Sequence, residues 1–436
     1  MKGIPIKPAA TNDADRAGIA NAAPPPWRAV WLLAAPHRLA FFMAAMMLVL
    51  SSVWWGIVLT TRALGMALSW AVPVSAAHAL LMTMGFMPLF FAGFLFTAGP
   101  KWLGLREVTA RSLLPGLMLM PSGWAIVLIG FHAHALVASA GVVLVATGWT
   151  TLSLKFLALL RHSKVPDRSH PRAVTVACGV GVMTLWMAAA SLASNSELML
   201  RTATQLSLWG FVAVVFAVVS HRMIPFFGSS AVPILDAWRP LWLLWVMVGM
   251  LWLEAMLSAM DLWWWPVPAA MRWGQVAFEL PTSILLLWLA VRWGLVQSLK
   301  IRLLAMLHGG FVWLGISFTL NAASHTLMAL TNGDMSLGLA PLHAMTMGYL
   351  GATMFAMTTR VSSGHGGRPH AADNAAWTLY WILQSAVLLR VIAAIWPAAA
   401  TSLTLLSISA WTAAMAGWAI RYGRWFGRPR LDGRPG

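Results

Sequence analysis

The sequence predicts an all-α membrane protein, a polytopic bundle of about twelve transmembrane helices with its N- and C-termini cytoplasmic. Three observations predict it. Hydrophobic residues make up 60% of the 436 and charged ones only 9%. The apolar residues gather into runs that can each cross a bilayer, which takes about 20 residues. The basic residues gather in every second loop. A soluble chain of this size needs far more charge to cover its surface, and the mean hydropathy of +0.75 says the same.

The runs, in order, are roughly 38–60, 76–98, 112–131, 134–160, 172–193, 202–225, 240–260, 273–295, 301–329, 338–360, 375–396 and 399–421. The third and fourth are joined by a tight turn at Phe131–His134. Twelve crossings put alternate loops on opposite sides. One side then holds all but four (Arg62, Arg201, Arg272 and Arg390) of the 29 Lys and Arg residues. Cytoplasmic loops carry the basic excess, so that side is expected to be cytoplasmic. A missed or extra span would scramble the alternation.

The expected organisation is a disordered cytoplasmic tail over 1–30, a single membrane domain over 31–421 and a basic cytoplasmic tail over 422–436. Residues 1–30 are rich in Ala and Pro and lack the apolar core of a signal peptide. The net charge of +17 is a topology signal, because the basic residues lie in loops. It calls for no nucleic-acid partner; the partner that composition demands is the lipid bilayer. The one cysteine, Cys178, rules out a disulfide within the chain, a CxxCH haem attachment and a thiolate cluster.

The histidines sort by depth. His78 opens the second run, His325 closes the ninth and His343 opens the tenth, all toward the outer face. His132 and His134 occupy the outer turn. His37, His162, His170, His221, His365 and His370 lie at the cytoplasmic face, and His308 about two turns inside it. His308 and His325 are 17 residues apart on one helix, roughly 25 Å at 1.5 Å per residue, so they cannot share a metal ion. An isolated histidine at an interface is ordinarily hydrogen-bonded to a carbonyl. Three set in apolar helix at one depth point instead to ligation, since ionisable groups inside a membrane are expensive and usually functional. Neutral imidazole suits haem iron and copper.

Polar company lies at the same depth: Asn321 one turn before His325, Glu254, Glu279 and Arg390. Arg390 is placed either to clamp haem propionates or to snorkel to the headgroups. Met82, Met84, Met87, Met345 and Met347 flank the histidines, where packing is the ordinary role of methionine and Cu(I) ligation the rarer one. Trp54, Trp55 and Trp263–Trp265 are expected in an interfacial belt. After the tenth run comes Arg360-Val-Ser-Ser-Gly364-His365-Gly-Gly-Arg368-Pro-His370. Its glycine amides and arginines can hold an anion, or it is a helix end capped by Gly364 and decorated by topology arginines.

Two stretches resemble the signature segments of the NnrS family. The first is His78-Ala-Leu-Leu-Met82, continuing through Gly85-Phe86 and Gly93-Phe94-Leu95 to Pro100-Lys101-Trp102. The second is His343-Ala-Met-Thr-Met-Gly348, continuing through Met357-Thr-Thr-Arg360 to Gly364-His365-Gly-Gly-Arg368-Pro369. Arg222-Met-Ile-Pro-Phe-Phe227 and Leu307-His308-Gly-Gly310 are similar to further family segments. The resemblance implies a bacterial inner-membrane protein holding haem and copper, tied to nitric oxide metabolism, denitrification and resistance to nitrosative stress. His78 with His343 or with His325 would hold haem, with Arg390 and Asn321 beside it. His221, His308 and His365 become the copper candidates, and Arg360, Gly364 and Arg368 the motif positions.

His78-Ala-Leu-Leu-Met82 is also similar to the second helix of the haem–copper oxidase catalytic subunit. The sequence departs from that enzyme in lacking its His-Pro-Glu-Val-Tyr segment, its His-x-His pair and its adjacent His-His pair. An oxidase-type centre is therefore not expected, and no residue pattern assigns catalysis or an electron donor. A secondary transporter is the alternative reading of twelve spans, and a structural or assembly factor without its own chemistry is the third. A carrier should show a six-plus-six repeat and broken helices with midplane polar groups. No clear repeat is present, and the polar residues gather toward the two faces.

Overall fold

The computed structural model describes residues 26–432 apart from 233 and 369–371. The expected 1–30 tail therefore lies mostly outside the described residues, as does His370. Backbone N–H and C=O groups in hydrocarbon have no water to bond, so a crossing segment must satisfy them itself, as a helix does. Twelve long helices result among the described residues: α1 (Pro36–Ala63), α2 (Val74–Trp102), α3 (Ala110–Ala133), α4 (Ala135–His162), α5 (Ser169–Ala193), α6 (Glu197–Ala231), α7 (Leu241–Trp263), α8 (Ala269–Arg292), α9 (Arg302–Leu330), α10 (340–365), α11 (Asn374–Ile395) and α12 (Ala400–Phe426). Among the described residues, eleven helices are long and apolar enough to cross a membrane. The exception is α10. It carries Thr346, Thr353, Thr358, Thr359, Ser362 and Ser363 and can afford them, because every side chain from Gly348 to Thr359 is buried against other helices.

Parity supports the twelfth crossing. Arg28 N–H donates to Gly427 O at 2.8 Å, and Arg38 Nη1 donates to Arg428 O at 2.7 Å. The chain thus enters and leaves the bundle at one face, called here the near face, and the number of crossings is even. Residues past α12 do not trail away from this face: Leu431 N–H donates to Gly366 O at 3.2 Å, and the Arg368 guanidinium sits 3.8 Å over the Trp425 ring. Prolines start several helices where the chain has no N–H to leave orphaned. Pro36 and Pro341 lie in first turns, and Pro73, Pro240 and Pro268 immediately precede theirs.

The helices form an inner and an outer group. The most apolar stretches of α2 and α6 are 83% buried and that of α9 is 67% buried, against 33–56% for the other eight. With α10, these three make the interior. The interior is also where helical geometry breaks. A bend at Gly85-Phe86 divides α2 into Val74–Met84 and Met87–Trp102. π-helical turns interrupt α6 at Ser207–Val212 and α10 at Ala344–Gly351, the latter directly after His343. Such turns cluster at functional sites because they re-aim the side chains around them.

The tightest packing joins α3 to α4. Gly116, Gly123 and Gly130 recur every seven residues on α3 and meet Gly148, Gly141 and Ala138 on α4. A Cβ on Gly123 would lie 2.6 Å from Gly141 O, and one on Gly141 would lie 2.7 Å from Gly123 O. Between helices in lipid there is little hydrophobic drive, and close backbone approach supplies the attraction instead. Gly123→Leu or Gly141→Leu is therefore expected to lower the stability of the detergent-solubilised protein by about 1–3 kcal/mol, seen as a lower thermal midpoint. Gly249→Ala, whose Cβ would meet nothing within 4 Å, is expected to be neutral or slightly stabilising.

Candidate functional site

On the far face, α2 begins with His78 and α10 with His343. His78 is stacked on Trp55 of α1, ring centroids 3.8 Å apart and planes 20° apart. Its Nδ1 is buried and has no hydrogen-bond partner among the described residues. His343 Nδ1 lies 2.9 Å from Leu339 O, one turn back on its own helix. That contact puts the proton on Nδ1 and leaves Nε2 as a bare lone pair. Arg390 of α11 is close enough for its charge to act on both rings, and His343 for its charge to act on His78. It has no carboxylate within ion-pair distance among the described residues. The site thus offers two imidazoles with open nitrogens and one guanidinium free to take an acid.

His325 and Asn321 are held in a different cluster. His325 Nδ1 lies 2.9 Å from both carboxylate oxygens of Glu279 on α8, and its Nε2 lies 3.8 Å from Asp261 Oδ2 on α7. Asn321 donates to Glu254 Oε1 at 3.2 Å. Glu279 thus engages Nδ1, whereas Asp261 lies beyond hydrogen-bond length from Nε2. His325 is thus set among carboxylates, while Arg390 acts on both His78 and His343. The tryptophans divide as well. Trp263, Trp264 and Trp265 are exposed beyond the end of α7, as a belt requires. Trp54 instead donates to His132 Nε2 at 3.2 Å, and Trp55 stacks on His78.

On the near face, a cavity of about 330 Å³ opens between α2, α6, α10 and the C-terminal segment. Met223, Met357, Arg360, Gly364, His365 and Arg430 are among its walls. The Arg360 guanidinium rests 3.6 Å over the Phe227 ring, an attraction between a cation and the negative face of an aromatic ring. Arg430 is engaged by Asp432, Nη2 to Oδ2 at 2.6 Å, and this bond holds its guanidinium above the usual arginine range. Burial, with Arg421 and Arg428 nearby, pulls Arg368 below that range. The His365 ring lies 4.5 Å from that of His37, the second residue of α1. His37 Nδ1 is buried and has no partner among the described residues.

His221 is separate from this cavity and pairs with His170 of α5. His221 Nε2 lies 3.2 Å from Pro240 O, and its Nδ1 lies 3.0 Å from His170 Nε2. A carbonyl only accepts, so the proton of His221 is on Nε2. His170 must then donate from its own Nε2, which leaves His170 Nδ1 a bare lone pair, buried and without a partner. His308 faces Leu304 O from Nδ1 at 3.0 Å and Trp293 O from Nε2 at 3.2 Å; both carbonyls only accept, so the neutral ring donates to one of them and backbone stands at both nitrogens. His221, His308 and His365 are consequently not assembled into one site. No group of three or more His, Cys, Asp or Glu is placed to hold a metal ion among the described residues. The partners that sequence reasoning missed are His37 and His170. Depth placed each of them on the correct side, but the pairing joins helices far apart in the chain and leaves no local signal.

A family model described as NnrS protein matches residues 31–430. No curated protein matches the chain.

His308→Leu is expected to cost about 1–2 kcal/mol of stability, the worth of the lost hydrogen bonds, and to leave metal content unchanged. Thermal unfolding and metal analysis of the same preparation test this. Loss of metal from a folded His308→Leu protein would show that the ring is a ligand after all.

Proposed function

The chain belongs to the NnrS family, and we propose that it is a haem- and copper-binding protein of the bacterial inner membrane that handles nitric oxide, in nitric oxide metabolism or in protection from nitrosative stress. The observation that carries this reading is the family match across 31–430. The near face, with its Lys and Arg excess, would be the cytoplasmic one.

Two donor sets support it. On the far face, the open Nδ1 of His78 and Nε2 of His343 would hold haem, and Arg390 would take propionate carboxylates in a bidentate grip. Bound there, haem supplies an iron that takes small diatomic ligands such as nitric oxide. The protein's own part is orientation: Leu339 O fixes the proton on His343 Nδ1, and Trp55 fixes the plane of His78. On the near face, His365 and His37 would hold copper with the thioethers of Met223 and Met357, a soft donor set suited to Cu(I). His221 with His170 is a second donor pair on the same side. Arg360 and the backbone around Gly364 give the cavity a positive wall.

The alternative, a carrier of a small solute, has one observation in its favour. Interior helices α2, α6 and α10 are interrupted, as carrier helices are beside their substrates.

One preparation separates the two readings. Purified after haem-sufficient expression, the wild-type protein is expected to contain copper and to show sharp reduced α and β bands that change on adding nitric oxide. His78→Ala and His343→Ala should each lose haem by at least about tenfold while still inserting. Arg390→Gln should weaken haem binding by roughly tenfold, the worth of a lost charged hydrogen bond, without changing the spectrum of the haem that remains. The double variant His37→Ala/His365→Ala should lose copper. Full haem in both single histidine variants would overturn the ligand assignment. A wild-type protein that stays colourless and metal-free after reconstitution would overturn the whole reading and send the work to transport assays.

A further inference from the structure

The cluster that holds His325 is a second site, chemically unlike the first. Helices α7, α8 and α9 each turn a polar stripe at helical spacing toward the others. These are Glu254, Ser258 and Asp261 on α7, Arg272, Gln275 and Glu279 on α8, and Asn321 and His325 on α9. At the far-face end, Asp261 Oδ2 accepts from Arg272 Nη1 at 2.6 Å and Asp261 Oδ1 accepts from Gln275 Nε2 at 3.0 Å. His325 bridges inward, Nε2 toward Asp261 at 3.8 Å and Nδ1 to Glu279 at 2.9 Å. Glu254 lies further in and accepts from Asn321 and from Ser258 at 3.2 and 3.4 Å.

Charge does not balance in this cluster. The charges that act on Glu254 are Glu279 and Asp261; those that act on Glu279 are His325, Asp261 and Arg272. Three carboxylates thus face one guanidinium and one imidazole. With all three ionised, the site would keep a net negative charge even when His325 is an imidazolium. An uncompensated charge in a membrane interior costs several kcal/mol. Glu254 Oε2 is buried without a hydrogen-bond partner among the described residues, and Glu279 Oε1, also buried, has only the ion-pair contact with His325 Nδ1, without hydrogen-bond geometry. They are the places where a proton can sit.

We propose that Glu254 and Glu279 form a proton-loading site, filled from water on the far face through Asp261 and His325. The graded exposure fits an entry path: the side chain of Asp261 is 25% exposed, that of His325 13% and that of Glu279 0%. In the loading step His325 gives its Nδ1 proton to Glu279 and takes one at Nε2 from the Asp261 side. The imidazole ends neutral, one proton has moved inward and no electron is exchanged. Below Glu279 the path closes. Ser283 donates to Gly315 O and Thr282 to Phe278 O. The small void beyond, about 10 Å³, has Met247, Leu286, Leu314 and Phe318 among its walls, too apolar to hold a water well. The site therefore stores a proton rather than conducting it across the bundle. The proton step involves neither His78 nor His343 and needs no bound haem.

The test is infrared spectroscopy of the purified chain at neutral pH in H2O and D2O. The protein has 12 Asp and Glu residues, and Glu254 and Glu279 are the fully buried ones among the described residues. A protonated-carboxyl C=O band is expected in the wild-type protein, shifting on deuteration and lost or reduced in Glu254→Gln or Glu279→Gln. Asp261→Asn should slow the deuteration by roughly tenfold or more. Absence of the band from the wild-type spectrum overturns the proposal, whether or not either Gln variant folds. A band unaltered in both variants overturns it too, and unchanged exchange in Asp261→Asn overturns the entry path.

Discussion

A polar atom buried in this bundle has no water to turn to, and that constraint orders everything else in the structure. Most hydroxyls escape it locally. Ser51, Ser52, Thr97, Thr147, Thr358 and others bend back onto the carbonyl one turn earlier, at 2.7–2.8 Å, and so need nothing from a neighbouring helix. Imidazole is different because it has two nitrogens, and one carbonyl can satisfy only one of them. His308 and His343 make the same first bond, Nδ1 to the carbonyl four residues back. What the second nitrogen meets then decides the role. For His308 it faces a second carbonyl, Trp293 O, so backbone groups stand at both nitrogens. For His343 it meets no backbone group, and that nitrogen keeps a bare lone pair. His37, His78 and His170 carry the same mark in their unpartnered Nδ1 atoms.

The interior helices make these orphaned nitrogens tolerable. Because α2, α6, α9 and α10 are shielded from lipid, they can carry threonines, glycines and histidines that an outer helix could not. Their bend and π turns are supported on all sides by packed neighbours. The outer helices do the opposite work. They supply apolar surface to lipid and, in the α3–α4 pair, backbone contact through glycine. The histidine-bearing ends of α2 and α10 both lie on the far face, while the Arg360–His365 end of α10 meets His37 and the C-terminal segment on the near face. One interior helix thus contributes to both donor sets, at depths too far apart to share a single ion.

The carboxylate cluster on α7, α8 and α9 answers the same constraint by another route. Imidazole and guanidinium neutralise part of the buried negative charge and a proton must neutralise the rest. That makes the cluster a titrating element in a bundle whose other interior polar groups are mostly fixed.

Much was legible in the sequence because it depends on the bilayer alone. Length and apolar content point to the all-α membrane class, and the alternation of Lys and Arg to an even number of crossings, since a helix in lipid has only one rise per residue and one way to satisfy its backbone. The resemblance carried by His78-Ala-Leu-Leu-Met82 and by the Arg360–Pro369 stretch likewise needed no coordinates to point to the NnrS family. Partners were another matter. Nothing local in the sequence joins His37 to His365, His170 to His221 or His325 to Glu279, and nothing separates His308 from the ligand candidates. Those pairings depend on which helix faces are turned toward one another. Helices in lipid choose their neighbours by close backbone packing and a few buried polar contacts, and only the tertiary structure decides which contacts those are.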